Sequence, residues 1–185
     1  MSTTVGEGLR NELKNMLGIP AESYDLKPEF RGKLERDGAV IEKWIWTSEP
    51  GSRVTSALYL PEARGEKVPV IVLTYGHGCS KSSWQYGYMA QLYAKLGIAC
   101  LALDPIGEEE RNIEGGMGTR AHDPECVIRR TGAAGRTIMG KLVYDTMRGI
   151  DFLLSRDDID GERIRVAGNS LGVAKAGWML ALDAR

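Results

Sequence analysis

The chain has 185 residues, 43% of them hydrophobic and 26% charged, with a formal net charge of −1 from 24 basic and 25 acidic side chains. Those proportions exclude a disordered or fibrous polypeptide and suit one domain of moderate size with a sizeable apolar core. The near-zero charge balance excludes the basic footprint of a nucleic-acid or anionic-membrane partner and points to a small or neutral ligand.

The N-terminus lacks a basic stretch followed by an apolar one, so no signal peptide is expected and the chain reads as cytoplasmic. No apolar run approaches the roughly 18 residues that a membrane helix needs. Cys79, Cys100 and Cys126 are an odd set without C-x-x-C spacing, which argues against a disulfide framework and against a zinc site. Cys100, inside an apolar run, reads as a small buried hydrophobe.

Leu9, Leu13, Met16 and Leu17 recur at helical spacing, and Gly18-Ile19-Pro20 ends that helix. Residues 21–37 are polar and read as irregular linker. Val40 to Trp46 and Val54 to Leu60 predict two strands joined by Glu49-Pro50-Gly51-Ser52, an antiparallel hairpin. Val68–Thr74 is then a nearly continuous apolar run, followed by the glycine-containing loop Tyr75-Gly76-His77-Gly78. Trp84, Tyr88, Met89, Leu92, Tyr93 and Leu96 mark the expected inward face of a helix that Gly97 stops. In general the tryptophans and methionines fall on apolar faces and are expected in the core.

Ile98–Leu103 is a second apolar run. Residues 105–137 form a long polar excursion, of a length that in a compact domain usually marks a functional loop or lid. Leu142 to Leu154 carry another helical pattern, Ile164–Ala167 a third short run, and a further helix starts at Ser170. Apolar runs without period-2 alternation, separated by helices, predict parallel strands buried on both faces. The organisation expected is a helix and linker over 1–37, a hairpin over 38–62 and a parallel α/β core over 63–185. Asp157-Asp158-Ile159-Asp160-Gly161 looks like the start of a calcium loop, but Gly168 stands where its twelfth-position glutamate belongs, so it reads as a turn. Neither a metal nor an organic cofactor is expected.

Gly168-Asn169-Ser170-Leu171-Gly172 is G-x-S-x-G between a short strand and a helix, the context of a nucleophile elbow. A tight turn there projects the Ser170 hydroxyl above the sheet, and glycines on either side let backbone pass closely. The free N–H groups of the following helix point at the place where negative charge develops on a substrate carbonyl. The Leu171 N–H is one expected oxyanion donor. A second is expected from the loop after Val68–Thr74, from the backbone of His77 with Gly78 next to it. His77 reads as a backbone contributor rather than a side-chain catalyst, and His122 as a loop-surface residue.

Taken together, Val70–Lys81, Asp104-Pro105-Ile106-Gly107 with Glu110-Arg111, and Tyr144–Gly172 resemble the α/β-hydrolase superfamily, above all its acetyl-xylan-esterase-like and dienelactone-hydrolase-like members. Two departures are Tyr75-Gly76 ahead of His77, where histidine-glycine is common, and Glu108-Glu109 after Asp104–Gly107, which makes that loop more acidic. The resemblance implies a three-layer sheet reached through an N-terminal helix and hairpin, with Ser170 as nucleophile toward small-molecule or carbohydrate esters, acetyl or other short acyl groups in particular. It also implies a triad acid and histidine that follow the serine in chain order, after further strands. Only 15 residues follow Ser170, both histidines precede it, and Asp183 falls on the elbow helix itself. The expectation is therefore a hydrolase sheet truncated after the elbow helix, inactive alone, with a sheet edge free to self-associate. A prolyl-oligopeptidase-type peptidase shares the same elbow. A hydrolase-like binding or assembly module, or a rewired site with His122 folded over Ser170, would also fit the chain.

Overall fold

In a computed structural model the described residues are 2–63, 65–112 and 136–185. Helix α1 (Ser2–Leu17) leads to strands β1 (Glu29–Arg36), β2 (Ala39–Glu49), β3 (Ser52–Pro61) and β4 (Val68–Thr74). Helix α2 (Trp84–Lys95), strand β5 (Ala99–Leu103), a 3-10 turn at Glu109–Arg111, helix α3 (Ile138–Leu154), strand β6 (Ile159–Gly168) and helix α4 (Leu171–Leu182) follow. The six strands form one sheet in the order β1-β2-β3-β5-β4-β6. β5, β4 and β6 run parallel to one another, and the N-terminal strands are antiparallel.

Both faces of the sheet are covered, as the unbroken apolar runs require. One core joins Leu58, Val70, Val72 and Leu101 to Val143, Leu153 and Met179 of α3 and α4, with Leu17 of α1 beside them. The opposite face joins Tyr59, Leu73, Cys100 and Ala102 to Tyr86, Ala90 and Ala94 of α2. Cys100 is fully buried, and burial pushes its thiol pKa up. The hairpin grips α3 through aromatic contact: Trp46 stacks on Phe152 at 4.9 Å, and Trp44 tilts against the same ring at 5.3 Å. Such pairs add about 0.5–1.5 kcal/mol each beyond their buried area.

Three expectations are corrected. Residues 29–36 are a strand, not irregular linker. β1 is an edge strand with solvent around nearly every side chain, so its Glu29, Arg31, Lys33 and Glu35 carry no apolar signal; its order comes from backbone pairing with β2. Strand β6 starts at Ile159, five residues before the apolar run, because its first half pairs through the backbone next to Val68 while exposing polar side chains. Helix α2 exists where expected but is turned around. Trp84, Tyr88, Met89, Leu92 and Leu96 are exposed, Tyr93 alone of the expected face packs partly on the core, and Tyr86, Ala90 and Ala94 face the sheet. Both stripes recur every fourth residue, and the small alanines allow the closer approach to β5. Trp84 and Met89 accordingly lie outside the core, as does Met16 of α1, whereas Trp46, Met147 and Met179 are inside it.

Asp158 and Asp160 are paired with Arg156 and Arg163. Among the described residues no helix is long and apolar enough to cross a membrane. The stretch 113–135, which includes His122, Cys126 and most of the long polar excursion, lies outside the described residues.

Candidate active site

The elbow sits at the C-terminal ends of the parallel strands, where open α/β sheets place their ligand sites. Ser170 joins β6 to α4 with φ +81° and ψ −112° and is exposed to solvent. An L-residue rarely adopts this conformation, which costs of order 1–3 kcal/mol and persists only where packing over-determines it. The flanking glycines supply that packing. A Cβ on Gly172 would lie 2.1 Å from the carbonyl oxygen of Thr74, and one on Gly168 would lie 2.3 Å from the carbonyl oxygen of Gly172. The Thr74 hydroxyl stands 2.8 Å from the Gly172 carbonyl and 3.1 Å from that of Ala167, so it ties β4 to both sides of the turn.

Gly76, two residues beyond the end of β4, packs against the serine: a Cβ there would stand 3.3 Å from Ser170 Cβ. Its N–H donates to the Tyr86 hydroxyl at 3.1 Å, which removes it as an oxyanion donor and leaves His77 and Gly78 as candidates. Gly78 has φ +71°, a turn for which glycine is suited. At the start of α4 the Gly172 N–H is held by the Asn169 carbonyl at 2.8 Å and the Val173 N–H by that of Ser170 at 3.0 Å. The Leu171 N–H has no acceptor among the described residues. Leu171, Gly76, His77 and Gly78 line one small cavity with Glu108 and Lys175. The structure therefore brings Leu171, His77 and Gly78 to one cavity, and Ser170 stands beside it against Gly76. Asp183 is not brought there. It caps the far end of α4, about 20 Å along the helix from the serine, and pairs with Arg185.

The loop after β4 is anchored from below. Asp104, fully buried at the end of β5, accepts from the Lys81 N–H at 3.0 Å, from Lys81 Nζ at 2.5 Å and from the Thr55 hydroxyl at 2.6 Å. Burial raises its pKa to about 6 against the pull of Lys81 and Thr55. Lys81 also reaches Glu110 at 2.6 Å and Glu109 at 3.3 Å, so the Asp104–Arg111 segment and the loop are clamped together. Beneath this, Arg111 bonds the Asp104 carbonyl at 2.8 Å and pairs with buried Asp145 at 2.8 Å, which also meets Lys141 at 2.6 Å. Burial would raise the Asp145 pKa, but Lys141 and Arg111 hold it at about 2.

Motif reading gives Tyr86 and Lys175 no role, and it takes in Asp104 and Lys81 only as ends of the Asp104–Gly107 and Val70–Lys81 segments. Lys175 stands out as the single charged residue in the apolar run of α4. It is almost completely buried, and burial lowers its pKa to about 8.

A family model described as acetyl xylan esterase (AXE1) matches residues 16–185. YtaP of Bacillus subtilis (strain 168), which bears the name hydrolase, is 23% identical over 95% of this chain and 60% of its own length. A solved structure of a candidate acetyl xylan esterase from Bacteroides fragilis NCTC 9343 superposes with a TM-score of 0.80 at 22% identity, covering 96% of this chain and 50% of that one. Acetyl xylan esterase 1 from Thermoanaerobacterium sp. JW/SL YS485 superposes with a TM-score of 0.66 at 20% identity, covering 96% and 53%. The chain thus spans about half the length of the proteins it resembles.

Proposed function

This chain belongs to the acetyl xylan esterase family, and on that premise we propose that it supplies the nucleophile and oxyanion hole of a serine hydrolase acting on carboxylic esters, acetyl or other short acyl esters of carbohydrate in particular. Ser170 Oγ attacks the acyl carbon. The carbonyl oxygen becomes an oxyanion facing the Leu171 N–H and the backbone of His77 and Gly78. Collapse of that tetrahedral species releases the alcohol and leaves the acyl group on Ser170, from which water removes it. The nucleophile must give up its proton to a base, and no histidine follows Ser170 in this sequence. We assign the base and its supporting acid to polypeptide beyond these 185 residues, in keeping with a chain that spans half of its relatives' length.

One observation carries the reading. Ser170 is held at φ +81° between a parallel strand and a helix N-terminus, with Gly76 packed on its Cβ. A serine in an ordinary helix-capping turn has no need of that conformation.

The test is labelling of the whole protein with a fluorophosphonate, together with release of acetate from acetylated xylan. Wild type should label at Ser170 and release acetate, and Ser170→Ala should do neither. Release of acetate by Ser170→Ala at the wild-type rate would refute the assignment. A folded protein that binds acetylated xylan but never labels would instead be a non-catalytic module.

A further inference from the structure

Lys175 is the only charged residue of α4, and it is 4% exposed. Among the described residues its ammonium makes no ion pair and no hydrogen bond; the contact it has is with the Tyr75 ring, 5.8 Å from the centroid. A lysine that is buried with no carboxylate partner among the described residues is expensive to keep charged. Its placement indicates what the cost is spent on. Lys175 lies one helical turn after Leu171 and on the same face, and side chains on a helix lean toward its N-terminus. That direction carries the amine toward the serine end of α4. Lys175 shares with Leu171, Gly76, His77 and Gly78 the walls of a cavity of about 10 Å³, space for roughly one water.

We propose that Lys175 is a positioning residue that lends positive charge to the oxyanion hole from behind, acting through the backbone of Leu171 and of the Gly76–Gly78 loop. The inference rests on the reading of Ser170 as the nucleophile. Charge from the ammonium adds to the positive end of the α4 dipole, so the Leu171 N–H faces the oxyanion in a more positive field. Among the described residues the Tyr75 ring at the end of β4 meets the amine, and His77 and Cys79 on the following loop, Glu108 on the loop after β5 and the apolar Leu142 of α3 line the same cavity. Burial favours the neutral amine, so the charge is present below a pH of about 8 and is lost above it. The amine is thus a titrating component of the hole.

The test is hydrolysis of para-nitrophenyl acetate by the whole protein across the alkaline range, for wild type, Lys175→Met, Lys175→Arg and Ser170→Ala. Wild-type kcat should fall as the pH rises past about 8. Lys175→Met should lower kcat about tenfold at neutral pH, less than loss of a direct oxyanion donor, and should abolish that alkaline limb. Lys175→Arg, which stays charged, should recover most of kcat and move the limb upward. If Lys175→Met does not fold, the Lys175→Arg profile decides alone: an alkaline limb at the wild-type position overturns the proposal. Profiles of wild type and Lys175→Met that superimpose, with Ser170→Ala inactive, would overturn Lys175 and leave the nucleophile standing. An inactive wild type or an active Ser170→Ala would overturn the nucleophile and this inference with it.

Discussion

Gly172→Ala tests the elbow most directly, because α4 carries its own control. The added methyl would sit 2.1 Å from the Thr74 carbonyl oxygen, more than 1 Å inside ordinary contact. The obstacle is backbone at the end of β4, so the start of α4 must retreat from the strand. That movement also breaks the 2.8 Å contact of the Thr74 hydroxyl with the Gly172 carbonyl. Overpacking costs about 1–3 kcal/mol and a lost buried hydrogen bond about 1 kcal/mol, a total of roughly 3 kcal/mol. For a chain of this size the melting temperature should fall by roughly 6–12 °C. Gly177 lies five residues further along the same helix, in open space, with nothing within 4 Å of a built Cβ. Gly177→Ala should stabilise by about 0.5–1 kcal/mol through helix propensity. Urea and thermal unfolding followed by circular dichroism would measure both. If Gly172→Ala is as stable as Gly177→Ala, β4 and α4 are not in the contact that fixes Ser170, and the reasoning about the elbow fails.

Lys175→Met should raise stability while it lowers activity. Burial shifts the lysine pKa from 10.5 to about 8, so below pH 8 the folded state carries a penalty of roughly 3 kcal/mol. Between those two values the unfolded chain binds the extra proton, so wild-type stability rises with pH and the gap to Lys175→Met narrows; urea midpoints that keep a constant gap across this interval would contradict that account. The outer side of β6 and α4 presents Ile164, Val166, Val173 and Leu180, with Leu180 86% exposed. The 185-residue chain on its own should therefore self-associate in sedimentation velocity, and Leu180→Lys should shift it toward monomer at a cost below about 0.5 kcal/mol; identical sedimentation of the two proteins would count against this surface.

Much of the site can be read from the sequence, because its chemistry depends on a local pattern. G-x-S-x-G between an apolar run and a helix points to a tight turn with a serine at its apex, and the glycines are needed by the turn itself. The same holds for Gly76–Gly78 after Val68–Thr74. Lys175 and the Asp104–Lys81 clamp could not be read in this way. Their significance comes from partners 20 or more residues distant, and a lone lysine in an apolar helix has the same local pattern whether it reaches solvent or stays buried.

The division between sequence and tertiary structure follows from the same cause. The apolar runs Val68–Thr74 and Ile98–Leu103, the helical spacing in 142–154 and the elbow motif determined that this is a parallel α/β layer with a serine at its top. Each of those signals is periodic or local, and hydrophobic burial enforces it wherever the segment lies. Tertiary packing decided which stripe of α2 faces the sheet, because Trp84-Tyr88-Leu92 and Tyr86-Ala90-Ala94 repeat with the same period. It likewise decided that the charged segment 29–36 is a strand, since edge strands are ordered by backbone pairing with a neighbour and not by their own side chains. It also decided that Lys175 shares a cavity with Leu171, His77 and Gly78, a position set by how closely α4 can approach the end of β4 at Gly172.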